Sequence, residues 1–85
     1  STSLYIKGQT IVLPRKEFEI FSLLLKNPKR IFSRDEILMR IWPDEVIVSE
    51  RTVDVNITRL RKKVSPSGVK IMNKPGYGYY YQPEE

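Results

Sequence analysis

The chain has 85 residues, 40% of them hydrophobic and 29% charged, with a formal net charge of +5; a chain this short supports one core and no second domain. Cysteine and histidine are both absent, which removes disulfides, the common zinc sites and the usual nucleophile–base pairs, so neither a cofactor nor an enzymatic activity is expected. No run approaches the roughly 18 apolar residues of a membrane span and the N-terminus lacks a signal-peptide pattern, so a cytoplasmic protein without membrane contact is expected.

Leu4-Tyr5-Ile6 and Thr10-Ile11-Val12-Leu13, separated by a turn at Lys7-Gly8-Gln9, predict two short antiparallel strands that need helices to pack on. Arg15 to Lys26 predicts a helix with Phe18, Phe21, Leu24 and Leu25 on its core face and Lys16, Glu17 and Glu19 mostly on the others. Asn27-Pro28 ends it. Ile31-Phe32 reads as a brief extended segment. Ser33-Arg34-Asp35-Glu36 then forms a capping box, in which the Ser33 hydroxyl accepts from the Glu36 amide and the Glu36 carboxylate returns to the Ser33 amide. The second helix runs from Arg34 to Trp42 and stops at Pro43.

Pro43, Asp44, Glu45, Val46, Ile47 and Val48 form a loop, and Ser49 caps a third helix from Glu50 to about Val64, broken by Ser65-Pro66-Ser67-Gly68. Val69 to Met72, a turn across Asn73-Lys74-Pro75-Gly76, and Tyr77 to Tyr81 predict a C-terminal β-hairpin. The alternating tyrosines are assigned to sheet and core packing, with stacking on single-stranded bases as the alternative.

The charge is concentrated. Residues 1 to 50 hold eight basic and seven acidic groups, whereas residues 51 to 74 hold seven basic groups and one acid, Asp54. Projected at about 100° per residue, Val53, Ile57, Leu60 and Val64 fall within about 60° of one another and form a core-facing stripe. Arg51, Val55, Thr58, Arg59 and Lys62 lie opposite. A helix of this kind fits the major groove of duplex DNA, where arginine bonds guanine and a small apolar group meets the thymine methyl. Arg61, Lys62 and Lys63, toward the C-terminal end, suit backbone phosphates. Asp54 is expected to orient Arg51, Thr58 or Arg61. A shorter helix, a loop and then this helix follow the helix-turn-helix order. The predicted fold is therefore α+β: a winged helix-turn-helix with three helices, an N-terminal antiparallel sheet and a C-terminal hairpin wing. In the wing, Asn73, Lys74 and Gly76 offer a cation and an amide to the DNA backbone or minor groove. Trp42 is assigned first to the core.

These segments resemble one family over nearly the whole chain. Leu13 to Glu19 is similar to its entry into the first helix and Ile31 to Leu38 to its entry into the second; Ile41-Trp42, Ser49 to Ile57, Arg59 to Lys63 and Gly76-Tyr77 complete the pattern. The resemblance is to the C-terminal effector domain of OmpR/PhoB-type two-component response regulators. It implies a bacterial transcription regulator in a phosphorelay, whose receiver domain lies outside this chain and controls dimerisation. It further implies a homodimer on direct repeats of double-stranded DNA, with the loop Pro43 to Val48 meeting RNA polymerase. It assigns DNA contacts to Arg51, Val55, Asn56, Thr58, Arg59 and Arg61, with Trp42 on the backbone. Pro14 stands where the family usually has a threonine cap. A winged helix acting as a protein–protein interaction module is the alternative, using the hairpin or the apolar loop.

Overall fold

The structure is a computed structural model and describes residues 1–44 and 47–84. Its elements are β1 (Thr2–Ile6), β2 (Gln9–Leu13), α1 (Arg15–Lys26), α2 (Arg34–Ile41), α3 (Glu50–Val64), a 3-10 turn (Ser65–Ser67), β3 (Lys70–Lys74) and β4 (Gly78–Gln82).

β1 and β2 pair antiparallel, with Ile6 opposite Gln9. The turn is thus Lys7-Gly8 alone, one residue shorter than expected. Both residues have positive φ, 49° and 82°, the two-residue geometry whose twist matches that of the flanking strands. Alternation then buries Ile11 and Leu13 and leaves Val12 exposed.

α1 spans the predicted residues but presents a different face. Glu17, Ile20, Phe21 and Leu24 are buried, while Phe18 and Leu25 flank the core. Glu17 therefore belongs to the inward face and not to the outer ones. Positions i, i+3, i+4 and i+7 share one helix face, and starting that series at 17 places the carboxylate inside. In α2 the Ser33 hydroxyl accepts from the Glu36 amide at 3.0 Å, as expected. The return half of the box is not made: the Glu36 carboxylate accepts from Arg30 at 2.8 Å and Arg40 at 3.2 Å. Two guanidinium groups outcompete one neutral amide. The helix ends at Ile41, with Trp42 as C-cap. α3 has the predicted bounds, and the Thr52 amide donates to the Ser49 carbonyl at 2.9 Å.

The C-terminal turn sits one residue later than expected. Asn73 and Lys74 are strand residues opposite Tyr79 and Gly78, and the Tyr77 amide donates to the Lys74 carbonyl at 2.9 Å. Pro75 and Gly76, the latter at φ 83°, meet the demands of a type II turn, which needs positive φ at its third position. Phe32 adds a third, one-residue strand: its amide and carbonyl exchange hydrogen bonds of 2.9 Å with Tyr79.

All these elements close on α3. Its buried stripe meets Leu13 from β2, Ile20, Phe21 and Leu24 from α1, Ile37 from α2 and Ile71 from β3 in one hydrophobic cluster. The result is a winged helix-turn-helix, with α2 and α3 as the helix pair and β3–β4 as the wing.

Candidate nucleic-acid interface

Burial of one side of α3 decides what the other side presents. Val53, Ile57, Leu60 and Val64 are all at most 1% exposed, so Arg51, Thr58, Arg59 and Lys62 are held outward and Val55 is 38% exposed between them. Arg51, Asp54, Val55, Thr58, Arg59 and Lys62 line one shallow groove along the helix. The stripe chosen by periodicity is thus a continuous surface. Asn56 is half-buried, and its amide donates to the Thr52 carbonyl at 2.8 Å, so part of its hydrogen-bonding capacity is already used.

Arg61 is exposed on the flank facing β3. Lys63 points elsewhere: its ammonium donates to Glu17 at 2.8 Å, and the Glu17 side chain is 3% exposed. Lys63 thereby neutralises a buried carboxylate of α1 and lies off the outward stripe. Trp42 is 8% exposed and belongs to the core, with the Lys16 ammonium 5.7 Å from its ring centroid. In the wing, Asn73, Lys74 and Gly76 are exposed. The Lys74 ammonium lies 5.0 Å from the ring centroid of Tyr77, itself 66% exposed. Tyr79 and Tyr81 pack on the core. Of the loop residues, Pro43 and Asp44 are exposed, Ile47 is 94% exposed and Val48 is half-buried, while Glu45 and Val46 lie outside the described residues.

Two side chains beside this surface escape sequence reasoning. Asp54 does not engage Arg51, Thr58 or Arg61; it accepts from Arg34 of α2 at 2.6 Å and from the Tyr79 hydroxyl of β4 at 2.7 Å. Helix arithmetic sees only neighbours three or four residues away, whereas these partners lie 20 and 25 residues off. Burial raises the Asp54 carboxyl pKa, but the hydrogen bonds from Arg34 and Tyr79 and the guanidinium charge outweigh it and hold the group below the ordinary carboxylate value. Burial, reinforced by that carboxylate, pushes the Tyr79 phenol up. One carboxylate therefore ties both helices of the pair to the wing.

Asp54→Ala is expected to lower stability at neutral pH by about 1 to 2 kcal/mol, since the pair is partly solvated but strands the tyrosine hydroxyl. Because the folded pKa is depressed, this contribution is complete above the ordinary carboxylate range and disappears as pH falls through the lowered folded value. Urea titrations of both proteins across that acid range should therefore converge.

Among the described residues no group of three or more carboxylates is placed to hold a metal ion, and no helix is long and apolar enough to cross a membrane.

Residues 8–81 match the family described as "Transcriptional regulatory protein, C terminal". The chain is 45% identical over 76 residues to the heme response regulator HssR of Staphylococcus epidermidis, a match covering 87% of this chain and 34% of that protein. Its fold is similar to the crystal structure of the DNA-binding domain of Bacillus subtilis CssR, with TM-score 0.84 and 30% identity over 94% of this chain and 90% of that one. It is also similar to the Klebsiella pneumoniae RstA DNA-binding domain in complex with the RstA box, with TM-score 0.81 and 26% identity over 96% and 84% of the two chains. With the match spanning β2, all three helices and nearly all of the C-terminal hairpin, the chain belongs to the family of C-terminal winged-helix effector domains of OmpR/PhoB-type transcriptional regulators.

Proposed function

We propose that this domain binds double-stranded DNA in a sequence-specific manner as the output module of a bacterial two-component response regulator. α3 enters the major groove and the β3–β4 hairpin rests on the backbone or the adjacent minor groove. The observation that carries this reading is the outward stripe of α3, where Arg51, Thr58, Arg59 and Lys62 surround Val55 while the opposite stripe is sealed in the core. Arg51, Val55, Asn56, Thr58 and Arg59 contact bases or nearby phosphates. Arg61 and Lys62 contact phosphates, Trp42 the backbone at the end of α2, and Asn73, Lys74 and Gly76 the DNA beside the wing. The relatives crystallised as DNA-binding domains, one of them with its DNA box, support the same assignment.

The chain spans about a third of the length of the curated relatives it matches, 34% and 35%. In the longer regulator, phosphorylation of a receiver domain controls pairing of two effector domains on direct repeats in the cytoplasm. The segment 43–48 meets RNA polymerase; Ile47, 94% exposed, and Met39 near the end of α2, 66% exposed, support that contact. No step of this function asks the domain for catalysis.

Selection of bound sites from random duplexes, followed by sequencing, tests the proposal. The wild-type chain should return one motif. Arg59→Ala should cost roughly 1 to 3 kcal/mol and relax one position of that motif, whereas Lys62→Ala should weaken all sites alike and flatten the salt dependence. Equal losses without any change in preference would contradict the assigned roles; no enrichment at low salt would contradict DNA binding itself.

A further inference from the structure

A second groove opens between the C-terminal half of α3 and β3, lined by Arg61, Lys62, Ser65, Lys70 and Met72 over the apolar Val69 and Ile71. Ile71 is 3% exposed and fills the core, so Lys70 and Met72 project from the opposite side of the strand. Arg61, Lys62 and Lys70 are all exposed, and none of them makes an ion pair among the described residues. Glu84 lines a neighbouring pocket together with Lys70, and that carboxylate is taken by Lys7. Lys62 also lines the outward groove of α3, so the two surfaces are continuous through its side chain.

We propose that Lys70 closes a three-cation seat, with Arg61 and Lys62, for one phosphate of the duplex backbone. This rests on the proposed docking of α3 and the wing. A helix in the major groove and a hairpin beside the minor groove leave one DNA strand between them, and the α3–β3 groove is the space that strand must cross. Arg61, Lys62 and Lys70 line one groove, and no carboxylate among the described residues lines it with them. Lys70 sets affinity and register and reads no base.

The measurement is the salt dependence of binding by the 85-residue chain to its selected duplex. Lys70→Ala should reduce the slope of log K against log salt by about 0.9, so that raising salt from about 50 to 200 mM costs the wild type roughly 3.5-fold more than the variant. Lys70→Arg should keep the slope, and the selected motif should be the same for all three proteins. In a series of duplexes each carrying one uncharged methylphosphonate, several positions should weaken both proteins, and at one of them the loss should be smaller for Lys70→Ala than for the wild type, because only the Lys70 share of that contact is already gone. Should the alanine variant lose its fold, Lys70→Gln carries the same expectation in both measurements. A slope unchanged by loss of the Lys70 charge overturns the seat while leaving DNA binding standing. Failure of the wild type to bind any duplex at low salt overturns both.

Discussion

Gly78→Ala should cost about 3 kcal/mol or more, a large share of the roughly 5 to 10 kcal/mol that a small domain holds in total. A Cβ at this position would stand 2.0 Å from the Phe32 carbonyl oxygen and 2.7 Å from its carbon, and the residue has φ 145°. Both obstacles are backbone, so no side-chain rotation relieves them. Separating β4 from Phe32 would break the paired 2.9 Å hydrogen bonds to Tyr79 and draw that ring out of the core. Gly76 supplies the control: it also has positive φ, 83°, but nothing lies within 4 Å of its would-be Cβ. Gly76→Ala should therefore cost only about 1 to 2 kcal/mol of backbone strain. Urea titrations decide the matter; equal losses at the two sites would mean that the approach to Phe32 is not what requires glycine at 78.

The second large effect concerns Lys63. Replacing it with methionine strands the Glu17 carboxylate, 3% exposed, without its 2.8 Å partner, and should destabilise the domain by about 3 kcal/mol. The double variant Glu17→Leu with Lys63→Met removes both charges and should recover most of that loss, since an apolar pair of similar volume avoids the desolvation cost. Lys62, one residue earlier but exposed on the outward groove, should show the reverse pattern: Lys62→Ala weakens duplex binding and leaves the unfolding midpoint nearly unchanged. A Lys63 variant that kept full stability while losing salt-sensitive DNA affinity would place this lysine back among the phosphate contacts. Adjacent residues of one basic run thus divide between fold and interface according to which side of α3 they occupy.

Much of this architecture was legible because its signals are local. The bounds of α1 and α3, the Ser33 cap and the separation of Val53, Ile57, Leu60 and Val64 from the stripe around Val55 follow from periodicity and capping chemistry, which depend on residues within one or two turns. The family resemblance, carried by segments from Leu13 to Tyr77, added Asn56 to the expected contacts and set Trp42 on the backbone. What the sequence left undetermined involves residues far apart in the chain. Glu17 was expected on an outer face because its counter-ion is 46 residues away, and Asp54 was matched to its own helix because Arg34 and Tyr79 come from other elements. The wing turn shifted by one residue because pairing with β4 draws Asn73 and Lys74 into the ladder, leaving Pro75 and Gly76 to turn the chain.

By itself, then, the sequence determined which elements form and which face of α3 is apolar, since both rest on short-range geometry. Only the tertiary structure decided which cations stay free to meet a phosphate and which are spent inside the protein. That division depends on carboxylates delivered by other elements, and the strength of each pairing falls with distance and solvent in space, not along the chain.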